Sequence, residues 1–249
     1  MKRIKCTVAY DGSQFYGYQA QPDRRTVAGE IEKVLTKMHK GEHIRIYGSG
    51  RTDAGVHAKG QVFHFDSPLS LGMDNWKRAL NAQLPDDIYI RRAEVVSDTF
   101  HARFSAIAKE YHYFIRTKPE PDVFTRNYMY HYPGTLDLDK IQAACKFLEG
   151  THDFTTFSSA KASVQGSRVR TLFSVSYGEH ESGVYFRFYG DGFLYHMVRI
   201  LSGFLLDVGL GKFEPEQIPE LIAAKDRRLL GETLGPQGLY LMRVDYGNE

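Results

Sequence analysis

Residues 48–60 read GSGRTDAGVHAKG, with Asp53 among glycines, Arg51 two positions before it and His57 four after. Gly50 and Gly55 have the spacing that opens a phosphate-binding loop. The next residues are Val56 and His57, so the lysine and hydroxyl that grip phosphate and magnesium are missing. The dinucleotide pattern fails as well, because Asp53 stands where its third glycine belongs. A carboxylate inside a phosphate cradle would repel its ligand. Glycines let the backbone bend sharply and approach a ligand closely. In an extended segment Arg51 is near enough to pair with Asp53, and a neighbouring cation keeps a carboxylate ionised. An ionised, shielded, rigidly held carboxylate suits a nucleophile or a base. A surface turn with a local Arg51–Asp53 pair is the other reading that spacing leaves open.

Other chemistry-bearing patterns are weaker. His39 and His43 are four apart, but Gly41 between them argues against the helix a metal pair would need. Cys6 and Cys145 lie far apart with no CxxC, which points to buried free thiols in a reducing compartment. No metal site is expected.

Elements must position Asp53. Ile4, Cys6 and Val8 alternate over 3–9, a strand. Val27, Ile31, Val34, Leu35 and Met38 follow helical spacing. Residues 44–47 predict a short strand into the glycine loop, and 61–66 a strand out of it. A helix with Trp76, Leu80 and Leu84 stops before Pro85, and 87–96 predicts another strand. Further on, YHYFI at 111–115 is aromatic and strand-prone. Ile141 to Leu148 form a helix stopped by Gly150. Residues 168–177 and 183–189 pair as a hairpin. A buried helix is expected from about 193 to 209, and GLYLMRVDY makes a last strand.

The expected fold is α+β: two similar α/β lobes, 1–104 and 105–249, with mainly antiparallel sheets and helices packed on one side. A cleft between the lobes would hold the site. The 249 residues can bury a sizeable core, and a net charge of +2 neither demands nor excludes a nucleic-acid partner. The N-terminus lacks the apolar run of a signal peptide and no stretch could span a bilayer, so a soluble cytoplasmic protein is expected.

GSGRTDAGVHA resembles the signature of the TruA family of tRNA pseudouridine synthases. So do AYDGSQFYGYQAQ (9–21), FHARFSAIAKEYHYFI (100–115), GDGFLYHMVRILSGFL (190–205) and GLYLMRVDY (238–246), in the family's order. The resemblance covers essentially the whole chain and favours the catalytic reading of Asp53 over the surface turn. It implies that Asp53 attacks the target nucleotide, with Arg51 in the same motif. Tyr111 matches the tyrosine that stacks on the target uracil and helps to move a proton. Arg199 matches an arginine that pairs with the aspartate from the other lobe. The implied reaction is isomerisation of uridine to pseudouridine at positions 38, 39 and 40 of the tRNA anticodon stem-loop, by a homodimer with a basic cleft and no metal or organic cofactor. Asp191 stands where the family often has Asn, Tyr18 where Trp is common, and Gly235 where Ala is frequent.

An RNA substrate needs phosphate contacts and an extruded base. Arg24, Arg25, His57, Arg103, Lys109, Arg168 and Arg170 are the candidates for phosphate. Phe193 and Leu194 either wall the base pocket or start the buried helix. Two rival readings are a tRNA-binding or tRNA-folding protein with reduced catalysis and a glycosidase. The latter lacks a clear second acid in the motif.

Overall fold

The computed structural model describes residues 1–159 and 166–247. Two compact units divide the chain: 1–107 with 240–249, and 108–239.

In the first unit the alternation of Ile4, Cys6 and Val8 produces β1 (Lys2–Tyr10), with those side chains buried. Thr26 caps α1 (Val27–Met38) by accepting from Gly29 N, satisfying a donor that the helix start leaves open. The short strand into the loop is only Tyr47–Gly48, β2. Residues 44–46 do not join it: Ile44 and Ile46 are buried, and Ile46 N donates to the Glu32 carboxylate of α1 instead of to a strand. The strand out of the loop, β3 (His57–Ser67), starts earlier than its apolar run suggested. Helix α2 (Met73–Asn81) ends before Leu84, because the Asn81 side chain bonds both Ile90 N and Ile90 O in β4 (Ile88–Val96).

β1 lies between β3 and β4, antiparallel to both. Trp76 of α2 packs edge-on against Phe65, which pairs with Ile4, so α2 packs on the face that carries Ile4. Arg3 and Lys5 point to the other face. The segment 97–105 crosses that face: the Arg3 guanidinium donates to the carbonyls of Asp98 and Phe100, and Lys5 Nζ lies over the Phe100 ring.

In the second unit β5 (Ala106–Arg116) pairs antiparallel with β9 (Gly183–Gly190), which pairs with β8 (Val169–His180), followed by β7 (Gly150–Asp153). The two-residue β6 (Tyr130–His131) runs parallel to the end of β5. Asp137 caps α3 (Leu138–Leu148), whose Ile141, Ala144, Cys145 and Leu148 are buried as their spacing predicts. The apolar stripe after residue 196 gives α4 (Met197–Gly209), buried almost all round. It starts four residues later than expected, because His196 takes the left-handed conformation at φ 60°. Helical geometry therefore begins only at Met197. The short α5 (Ile218–Ala224) follows.

The last strand, β10 (Leu239–Tyr246), pairs in parallel with β3 through Tyr240 and Leu241. Residues 240–249 thus fall with the first unit, whereas the sequence reading placed all of 105–249 in the second lobe.

Candidate active site

The loop that carries Asp53 is fastened on both flanks. Thr52 O accepts from Tyr18 N at 3.1 Å, and the Thr52 hydroxyl bonds the Tyr10 hydroxyl at 2.8 Å. Beyond the aspartate, Gly55 N donates to Phe15 O, and Val56 N turns back to Asp53 O. Gln61 of β3 holds the near end: its amide donates to Gly50 O, and its carbonyl accepts from the Ser49 hydroxyl. Thr52 and Val56 are buried, while Asp53 between them stays half-buried. The carboxylate is thereby mounted on a backbone with little freedom, as a nucleophile requires.

Two glycines outside the loop permit this. A Cβ on Gly12 would lie 2.0 Å from Val56 O, and one on Gly17 would lie 2.7 Å from Thr52 O. Gly17 also has φ +92°, which side-chain-bearing residues rarely adopt. The blocks 9–21 and 48–60 are therefore two sides of one contact. Sequence alone does not single out Tyr10, Gly12, Gly17 and Gln61; the two glycines inside an aromatic stretch are the signal that points to them.

His57 is 2% exposed. Its Nδ1 accepts from Gly12 N at 3.0 Å, and its ring stacks on Tyr240 at 4.6 Å. A ring this buried offers no surface to phosphate; His57 positions the turn at Gly12. Arg51 is exposed, with no hydrogen bond or ion pair among the described residues, so the local Arg51–Asp53 pair suggested by spacing does not form. Arg24 is exposed and lies over Tyr16 at 4.5 Å. Arg25 makes a two-pronged ion pair with Asp87 at 2.7 and 2.9 Å, which commits it to the fold. Arg103 is exposed over Phe104.

The remaining candidates belong to the second unit. Tyr111 of β5 is 8% exposed, and the Phe193 ring meets it edge-on at 5.0 Å. Phe193 and Leu194 precede α4 rather than starting it, so the left-handed His196 frees Phe193 to form a wall with Tyr111. Leu194 is buried, with its N–H aimed at Met197 Sδ. Arg199, in the first turn of α4, donates through Nε to Leu234 O at 2.7 Å. The adjoining Gly235 O accepts from the Tyr113 hydroxyl at 2.7 Å, so one loop is tied to both β5 and α4. Lys109 begins the paired part of β5 opposite Gly190 and is half-buried. Arg168 donates to the Ser158 hydroxyl, and Arg170 to the carbonyls of Ser167 and Val169.

Asp191 accepts from Thr171 N at 3.0 Å through its carboxylate, a task an asparagine carbonyl performs equally well. Tyr18 is 4% exposed, and its hydroxyl has no hydrogen-bond partner among the described residues. A Cβ at Gly235 would meet only the mobile end of Gln237.

A family model described as tRNA pseudouridine synthase matches residues 7–105 and 144–247. The chain belongs to the tRNA pseudouridine synthase family. It is 58% identical over 246 residues to a protein of Oceanobacillus iheyensis named tRNA pseudouridine synthase A, covering 99% of this chain and 97% of that one. Relatives of the same name in Geobacillus kaustophilus and Bacillus subtilis are 54% and 51% identical, with 100% and 99% of this chain and 96% and 100% of theirs covered. The fastened loop is thus a family member's aspartate loop. Among the described residues no group of three or more His, Cys, Asp or Glu side chains could hold a metal, and no helix is long and apolar enough to cross a membrane.

Proposed function

We propose that the protein isomerises uridine to pseudouridine at positions 38, 39 and 40 in the anticodon stem-loop of tRNA. Membership of the tRNA pseudouridine synthase family carries the reading. The reaction breaks the bond from C1′ of ribose to N1 of uracil, turns the base, forms a bond from C1′ to C5, and releases the C5 proton while N1 takes one up. It is redox-neutral. Asp53 acts as the nucleophile that holds the detached fragment while the base turns. The target base leaves its stack to reach the aspartate, and Tyr111, backed by Phe193, receives it. Arg199 is the arginine we assign to the reaction together with Asp53, and its own orientation is set by Leu234 O. Arg51, exposed beside the nucleophile, and Arg24 and Arg103 meet the RNA. The enzyme works as a cytoplasmic homodimer without a cofactor.

The test is to incubate the protein with unmodified tRNA transcripts and map pseudouridine by carbodiimide-dependent reverse-transcription stops. Stops at 38, 39 and 40 are expected. Tight binding without stops would instead favour a tRNA-binding protein, and stops elsewhere would overturn the target assignment.

A further inference from the structure

The segment 97–105 faces two ways. Phe100 and Ala102 are buried, and Ala102 is held at both ends: its N–H donates to His64 Nδ1, and its carbonyl accepts from the Tyr246 hydroxyl. The residues between and after them turn outward. Phe104 is 77% exposed and meets His101 at 4.4 Å between ring centroids. His101 lies 5.8 Å from Tyr47, which is itself 42% exposed. Isolated exposed rings are ordinary on protein surfaces. These three form one continuous ridge.

Cations flank the ridge at both ends. Arg45 lies over Tyr47 at 5.3 Å, and Arg103 over Phe104 at 5.8 Å. Neither arginine forms an ion pair among the described residues, so both remain available to anionic partners. The ridge also joins the nucleophile loop directly, since Tyr47–Gly48 is the strand that leads into it. Tyr47 is braced from below by His64, which pairs with it across β2 and β3 and stacks on it at 5.1 Å.

We propose that Tyr47, His101 and Phe104 form a stacking platform for unpaired nucleotides of the RNA substrate, with Arg45 and Arg103 on the flanking phosphates. The proposal rests on the tRNA reading above and adds where the loop nucleotides lie. Every base offers a π-face, so rings interleaved with arginines suit single-stranded RNA without demanding a sequence. An aromatic ridge with unpaired cations at both ends fits a polyanion carrying flat bases better than an apolar protein partner. Burial and the nearby Arg3 charge lower the pKa of both His64 and His101, so these rings are neutral at pH 7 and stack without adding charge.

The experiment uses the full chain and an anticodon stem-loop RNA carrying 2-aminopurine in the loop. Wild type, Phe104→Ala, Phe104→Leu, Phe104→Trp and Tyr47→Phe are compared for Kd and for 2-aminopurine quenching. Loss of one stacked base raises Kd about 5- to 150-fold. Phe104→Ala and Phe104→Leu should both show that rise and lose quenching, while Phe104→Trp and Tyr47→Phe keep both. Phe104 is so exposed that its replacement leaves the fold intact, which circular dichroism checks. Unchanged Kd and quenching in Phe104→Ala would overturn the platform. A changed oligomeric state by light scattering, with RNA binding intact, would overturn it too and make the ridge a protein interface. Failure of wild type to bind or modify any tRNA would instead remove the functional reading, and the platform with it.

Discussion

Asp53 and Tyr111 are mounted by different means. The Asp53 loop is held by its backbone: Thr52 O, Gly50 O and Gly55 N are all bonded, and Gly12 and Gly17 let a second segment close on it. Tyr111 sits on a regular strand, and its neighbour Phe193 comes from a turn held in place by the left-handed His196. A nucleophile tolerates little displacement, since an error near 1 Å costs about 100-fold in rate. A stacking ring tolerates more, because its contact is broad and weakly directional. In the proposed reaction, backbone clamping would serve the reacting atom and ring packing the base.

The sharpest way to break this contrast is Gly17→Ala. The added Cβ would collide with Thr52 O, and φ is positive there. We expect turnover to fall about 100-fold or more through displacement of the loop, with near-normal tRNA affinity; single-turnover rates near wild type would show that the clamp is not needed. On the other side, Phe193→Ala removes the ring that backs Tyr111. It should cost about 0.5–1.5 kcal/mol in the binding and positioning of the base, read as a smaller loss in kcat/KM than Gly17→Ala. A larger loss would reverse the ranking of the two mountings.

Acid should weaken the first unit. Burial lowers the His64 pKa from 6.5 to about 4. The unfolded chain then binds the proton more readily than the folded one between those values, so stability falls as pH drops from 6.5 towards 4. The loss is on the order of 2–3 kcal/mol, measured by urea unfolding at pH 7 and pH 4.5. His64→Gln should flatten that dependence, and an unchanged slope would assign it to other groups. The smallest effect expected is at Tyr18, whose buried hydroxyl lacks a partner among the described residues. Tyr18→Phe should raise unfolding stability by about 1 kcal/mol without changing turnover. A destabilised variant would mean that the hydroxyl does bind something.

Alternation and helical spacing were enough to read most elements, because β1, α1 and α3 bury one clear stripe or face each and α4 is apolar almost throughout. The misplaced boundaries have local causes: Asn81 ends α2 by bonding Ile90, and His196 delays α4. Neither event has a periodicity to betray it. At the site, Asp53 stood out because a carboxylate among glycines matches no phosphate loop. The roles of His57 and Arg25 did not, since burial against Gly12 and pairing with Asp87 bring together residues 45 and 62 positions apart.

The measurement closest to the central claim is tritium release from tRNA transcripts carrying [5-³H]uridine, run with wild type and Asp53→Asn alongside a tRNA-binding assay. The C5 hydrogen leaves only if the base is rejoined through C5. Release by wild type alone, with tRNA binding retained by Asp53→Asn, is the predicted result. Release by the variant at the wild-type rate would remove Asp53 from the mechanism.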